Sequence, residues 1–495
     1  MTDANRRDVL AAFALGGLAL PALPAAARQA ASAASAEPAG KTTAALSRYI
    51  ATSQSFDFPE EHRELARRHI LDTLASAVAC RDLEPSVLAR NYALAQTGDA
   101  KRSAVTILAS NQKAALVDAV FAGAMTAHGA EINDFNPASF VQPGPSVVTA
   151  ALALAQARGK SGEQVLRSVI VGYELAGRVP RAIGNKNLQK ANIANHGFGP
   201  VFGTAATAAS ILGIAEDRIG DVLTYCAQQA SGSWQWMSDV EHIEKSFVFA
   251  GMGARNGLQA ALMVEAGFTG VRNSFDRSNG WFRSPIFRGE GNNPDYLIDK
   301  LGERTELHET AYKRYPVGGP TQPAVDGLLK LLPRIDRGRV ASVTISMPGR
   351  WDAFRNAEMP ALNLRYLSAI ILIDGRLDFV SAQSLKRMHG DPAAKAMMAK
   401  VDVVHDPAQE HAEGSARTES ARVVVVQEDG RRHEIFVPWV AGFPSHPMSK
   451  ADVEAKALEL MSPLLGAGRA RDVVAAVWDI SSLRSGGELV RLVAR

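Results

Sequence analysis

The sequence predicts a mainly α-helical protein with a second, smaller α+β domain. Apolar residues recur at helical spacing, with charges between them, almost without a break from Thr42 to about Ala266. Beyond Gly270 the texture changes to alternating β-branched runs and a hairpin signal. After Ser449 the helical pattern returns. The helical domain is therefore discontinuous, 42–270 and 449–495, and the α+β domain occupies 271–448 between the two pieces. A chain of 495 residues exceeds what one hydrophobic core usually organises, which agrees with two domains.

Residues 1–36 are expected to be an export address rather than part of the fold. Arg6 and Arg7 precede a mostly apolar run from Val9 to Leu20, and Pro- and Ala-rich sequence follows to Glu37. A charged start, an apolar stretch and a small-residue exit form a signal peptide, and the paired arginines point to the Tat route. Ala-x-Ala exits end at Ala27, Ala33 and Ala36. The apolar run is shorter than the ~20 residues a membrane span needs. The expected destination is the bacterial periplasm, with no membrane attachment after cleavage.

In the helical part, EHRELARRHILDTLASAVAC (61–80) and GEQVLRSVIVGYELAGRVPRAI (162–183) carry clear amphipathic periodicity. GTAATAAS (203–210) predicts helices in close contact, because small side chains let backbones approach. Gly, Asn and Pro clusters at 129–145 and 184–200 interrupt the helices and make natural site loops. In the α+β part, VASVTISMP (340–348) alternates like a strand, and ARVVVVQEDGRRHEIFVPW (421–439) reads as a hairpin turning at Asp429-Gly430. TQPAVDGLLKLL (321–332) and the run around Tyr366 are helical, and Ser449 is positioned to cap the helix beginning KADVEAKALELM.

Composition narrows the function classes. Apolar residues make up 46% of the chain and charged residues 21%, ordinary values for a soluble globular protein. A formal net charge of +3 and the lack of a dense Lys/Arg block exclude nucleic acid as the expected partner. Cys80 and Cys226 lie in apolar helical sequence without metal-ligand spacing, and are expected to be inert core thiols. Gly251-x-Gly253 lacks the preceding strand of a dinucleotide site. Trp234 and Trp236 are expected to pack between helices.

Four stretches carry chemistry-bearing residues: HGAEINDFNP (128–137), QPGPSVVTAALALA (142–155), HGFGPVFGTAATAASILGI (196–214) and AYKRYPVGGPTQPAVD (311–326). His128 and Glu131 are three apart and share one helix face, with Asp134 at the helix exit. A carboxylate beside a cleft removes a proton α to a substrate carboxylate if burial raises its pKa. His196 before a Gly-rich helix start suits an anion. Lys245 and Lys313 are of the type that binds a carboxylate or stabilises charge developing beside it.

These stretches, in their order and spacing, resemble the MmgE/PrpD family, which includes 2-methylcitrate dehydratase and cis-aconitate decarboxylase. The resemblance runs from about Ala44 to about Leu465. It implies metal-free, cofactor-independent chemistry on a small polycarboxylate. It also implies a helical domain, an inserted lid domain, a cleft between them, and a homodimer. Glu131 takes the position of the family's first aspartate in H-x-x-D-F-D-D, Asn133 that of the next, and Asp134 keeps the last. Phe135 stands where the family often has threonine. Gln142 precedes Pro143-Gly144 where the family has a candidate catalytic histidine. Lys245 matches the lysine of K-x-L-H, whose histidine is replaced by Phe249 or Val248 with the spacing grown by one. AGFTG (266–270) follows in both. Lys313 matches K-x-Y/F-P, Gln322 replaces a second histidine, and Tyr366 matches an aromatic before a helix ending Asp-Gly.

The implied activity is that of a lyase, a dehydratase or decarboxylase, acting on a small di- or tricarboxylate. Lys245, Lys313 and His196 would neutralise its carboxylates, with Gln142 and Gln322 as further holding groups. Glu131, with Asp134, would be the base and Tyr366 an acid. Two other readings stand beside it: an epimerase or isomerase of a dicarboxylate, which shares the same proton abstraction, and a catalytically silent periplasmic polycarboxylate-binding protein, which the two lost imidazoles support. Lysines in an open cleft are expected to contribute little to stability.

Overall fold

The computed structural model describes residues 39–98, 104–289, 291–410 and 419–494. The leader expected to direct export lies outside the described residues. The fold opens with α1 (Lys41–Thr52), α2 (Glu60–Cys80) and α3 (Glu84–Thr97). It continues through α4 (Leu116–Ala127), α5 (Pro143–Arg158), α6 (Gly162–Ile183), α7 (Phe198–Leu212), α8 (Glu216–Gln229) and α9 (Met252–Glu265). Local signals fix several of these ends. Pro143 starts α5, where a missing N–H costs nothing. Ser161 and Gln164 form a reciprocal capping box at α6. The small residues of α7 do set a close contact: a Cβ on Gly203 would lie 2.8 Å from both the Gly172 carbonyl oxygen and Ala176 Cβ on α6.

The α+β part begins with α10 (Gln322–Leu331), followed by strands β1 (Val340–Met347), β2 (Val401–His405), β3 (Ala421–Gln427) and β4 (Arg432–Val437). Helix α11 (Leu364–Asp374) lies in the connection from β1 to β2. The sheet order is β2-β1-β3-β4, with β1 parallel to β2 and the other neighbours antiparallel. The hairpin turns where the sequence predicts it. Gly430, at φ 84°, donates its N–H to the Gln427 carbonyl at 2.9 Å. Gly327 lets α10 close on the sheet, since a Cβ there would stand 3.0 Å from a Val423 methyl.

Among the described residues two large hydrophobic cores result, beside two small clusters. The larger runs from Leu46 to Tyr312 and takes in Val453, Ala457 and Met461 of α12 (Lys450–Leu465), and Val473 and Val477 of α13 (Ala467–Trp478). The smaller gathers Val317, Leu328, Val343, Ile345, Ile370 and Val425 around the sheet. Composition placed the change of domain at 270/271, whereas residues up to Tyr312 pack on the larger core. The cause is aromatic. Phe275 and Trp281 lie 5.7 and 5.3 Å from Phe202 of α7, and Phe287 lies 6.1 Å from Phe198. Such contacts leave no helix or strand periodicity in the sequence.

Both cysteines are buried free thiols, and burial pushes that of Cys80 up to about 12. No helix among the described residues is long and apolar enough to cross a membrane.

Candidate active site

A cavity of about 750 Å³ is walled by Glu131, Gln142, His196, Trp236 and Lys245 from the helical part, and by Pro320, Phe354, Met359 and Leu362 near the sheet. Its buried end is built on the loop after α4. Phe135 in that loop pairs with Ala311 as an antiparallel bridge, the two N–H groups donating to opposite carbonyls at 3.0 and 2.6 Å. The bridge brings Lys313 alongside. Its ammonium donates to the Asn133 carbonyl at 2.9 Å and stands 3.4 Å from Glu131 Oε2. From the opposite wall comes the short helix Ile243–Ser246, where the Lys245 N–H donates to Asp239 Oδ2 at 2.8 Å. Its ammonium contacts Glu131 Oε1 directly. His242 caps this helix at φ 63°, a left-handed conformation uncommon outside glycine. Its Nε2 lies 3.2 Å from Glu131 Oε1 and its Nδ1 2.9 Å from Ser246 Oγ.

Burial opposes ionisation of Glu131, but Lys245, Lys313 and His242 outweigh it and hold the carboxyl well below the usual carboxylate range. This corrects the expectation that burial raises its pKa. Glu131 is a clamped anion, and a carboxylate so stabilised is a weak base. Burial lowers Lys245, with Glu131 only partly restoring it. Burial likewise lowers His242, and it lowers His128 well below 6.5 with His242 adding to the effect. The lysines are 3% and 2% exposed, so they sit within the packed interior and not in an open cleft.

The second cluster is aromatic. His196 stacks on Phe249 with ring centres 3.9 Å apart and meets Trp236 edge-on at 5.2 Å. The Lys245 ammonium lies 4.9 Å over Trp236 and 5.2 Å over Phe249, so one pair of rings joins the histidine to the lysine. His196 Nδ1 stands 3.3 Å from Gln142 Oε1. Trp234 and Trp236 thus line the cavity as well as pack, more than the sequence reading gave them. Phe247–Gly251 forms a single π turn before α9. A π turn holds one residue more than an α turn, which would accommodate the one-residue growth in spacing that the resemblance implies after Lys245.

Three residues expected in the site are held elsewhere. Asp134 is fully buried among His69 Nδ1 at 3.0 Å, the Tyr173 hydroxyl at 2.5 Å and the Gly144 N–H at 3.1 Å. It ties the start of α5 to α2 and α6 and does not line the cavity. Gln322 accepts from the Tyr315 N–H at 2.9 Å and donates to the Tyr315 and Val317 carbonyls at 2.9 and 2.8 Å. Its amide is spent clasping the loop after Lys313. Tyr366 lies in the smaller core and donates to the Ser381 carbonyl at 2.7 Å, and burial raises its pKa. Tyr366→Phe should therefore keep kcat/KM within about twofold and cost about 1 kcal/mol of stability, the usual worth of one hydrogen bond. Steady-state kinetics and denaturant titration check both halves.

Sequence reasoning missed His242. The weak signal was its place three residues before Lys245, outside any motif compared. His128, Glu131 and His242 offer three ligand atoms within 4.8 Å of one another, the spacing of a cation site. The ammonium groups of Lys245 and Lys313 already hold Glu131, and their charge opposes a metal ion there.

The lowered histidines predict a pH dependence. Folded His128 and His242 stay neutral below 6.5 while the unfolded chain takes up protons, so stability falls as pH drops below about 6.5. Glu131 adds stability that is present above its usual 4.5 and lost only as pH falls through its lower folded value. Urea midpoints from pH ~8 to ~5 should show the first loss, and His242→Gln should flatten it.

Three curated relatives are similar. The chain is 24% identical over 510 residues to the cis-aconitate decarboxylase-like protein oryM of Aspergillus oryzae, covering 92% of this chain and 98% of that one. It is 26% identical over 306 residues to a cis-aconitate decarboxylase of Aspergillus terreus, covering 58% of this chain and 60% of the relative. A second Aspergillus terreus protein of that name matches at 26% over 272 residues, covering 52% and 53%. The model of the MmgE/PrpD N-terminal domain matches residues 44–292, and that of the MmgE/PrpD C-terminal domain matches 315–480. With both halves matched across most of its length, the chain belongs to the MmgE/PrpD family.

Proposed function

We propose that this protein is a lyase that eliminates water or carbon dioxide from a small polycarboxylate held between the helical and α+β parts. The observation that carries the reading is the pair of buried ammonium groups, Lys245 and Lys313, converging on one carboxylate at the inner end of the cavity. Elimination and decarboxylation both build negative charge on carbon next to a carboxylate. Preorganised cations in a dry site stabilise that charge most where it develops. The similarity to cis-aconitate decarboxylases supports the same chemistry.

The roles follow from the electrostatics. Lys313, fixed by the Asn133 carbonyl, holds a substrate carboxylate. Lys245, whose pKa burial lowers, moves the proton in place of Glu131. Glu131 sets the position of both lysines and shares its charge with them. His196, against Gln142, presents an imidazole in the cavity wall. That imidazole favours an enzyme over a silent binder. The test is purified protein with cis-aconitate, citrate-like and methylcitrate-like acids, following product by NMR and carbon dioxide release. Tight binding of these acids with no turnover of any would leave only the binding-protein reading.

A further inference from the structure

The cavity is larger than a compact polycarboxylate fills. At about 750 Å³ it lies in the upper part of the range that takes drug-sized ligands, about 300–1,000 Å³. A citrate-sized acid fills a small share of that space. Two lysines converge at the buried end, and part of the remaining wall is of another character. Phe135 and Phe249 flank the lysine ammonium groups, and Phe354, Met359 and Leu362 add further apolar surface. Asp239, Glu358, Glu410 and Glu419 line the cavity with Arg350 as the one further lysine or arginine among the described lining residues. An uncharged apolar group placed along Phe354, Met359 and Leu362 meets a ring and aliphatic side chains.

From this distribution we infer that the substrate is a polycarboxylate bearing a large apolar arm, an alkyl chain or an aryl group, with the arm lying along the Phe354–Met359–Leu362 wall. The inference rests on the lyase reading for its carboxylate end. Binding of the arm itself does not depend on turnover. Each buried methylene strengthens binding several-fold, so a chain of even moderate length is a strong determinant of affinity.

Calorimetric titration with succinate, benzylsuccinate and octylsuccinate tests the arm directly. Octylsuccinate and benzylsuccinate should bind at least about a hundredfold tighter than succinate. Phe354→Ala and Met359→Ala should each erode that advantage several-fold while leaving succinate unchanged. Lys313→Ala should weaken all three ligands alike. Equal affinity for the three acids overturns the inference, and so does an equal effect of the wall variants on succinate and octylsuccinate. Turnover separates this from the lyase reading. If cis-aconitate is converted and the armed ligands bind no tighter, the lyase stands and the arm is refuted. If the armed ligands bind tightly and neither cis-aconitate nor its alkylated analogues react, the apolar arm site stands and the lyase is refuted.

Discussion

Glu131→Gln should unfold the protein several degrees earlier and abolish turnover. The carboxylate is 4% exposed and is faced by Lys245, Lys313 and His242. Removing its charge leaves two ammonium groups buried beside each other without a counter-ion. Breaking a buried pair this way typically costs about 3–5 kcal/mol, because the remaining charge keeps its desolvation penalty. The decisive variant is the double change Glu131→Gln with Lys245→Met. It removes one charge of each sign, and should regain most of the stability while staying inactive. Thermal denaturation of the two variants beside the parent gives the result. A single variant as stable as the parent would mean that the cluster is solvated in a way its burial denies. The stability expected of lysines in an open cleft does not apply here, since the clamp is interior.

The two lysines should separate by role. Lys313→Ala removes a charge-assisted bond to the substrate of roughly 1.5–3 kcal/mol, so kcat/KM should fall by about ten- to hundredfold, chiefly through KM. Lys245→Ala should do at least as much and lower kcat as well. Lys245→Arg is the informative change. Guanidinium keeps the positive charge but does not release a proton in the accessible pH range. Binding should persist while kcat falls by two orders of magnitude or more, of the order that general acid–base catalysis contributes. The acidic limb of the pH–rate profile, along which the rate rises as Lys245 loses its proton, should vanish with it. An arginine variant with unchanged kcat would return the proton-transfer role to another group.

Positions were more legible in the sequence than orientations were. Helical spacing and the strand alternation of 340–348 gave the fold class, because period alone decides which face is buried. The motifs located Glu131, Lys245, Lys313, Gln142 and His196, all of which line the cavity. Motif position could not show where a side chain points. Asp134 lies three residues from Glu131 yet turns to His69 and Tyr173, and Gln322 turns back on its own loop. The ionisation of Glu131 was out of reach for a different reason. It is the balance of burial against three neighbours from distant parts of the chain, and that sign needs geometry. His242 was hidden because its contact depends on a left-handed backbone at an ordinary residue.

The π turn at Phe247–Gly251 acts as a phase shifter on a drive shaft. An α-helix advances about 100° per residue, so one residue inserted or removed rotates everything on one side of it relative to the other. Downstream, α9 is locked by the packing of Gly253 against Pro200 and of Gly257 against Thr204. The angular error therefore cannot be taken up there, and it falls on the upstream end that carries Lys245 and His242. Deleting Val248 would convert the turn to ordinary helix and swing both groups about a quarter revolution away from Glu131. The length of this segment, and not only its residue types, is thus part of what sets the site.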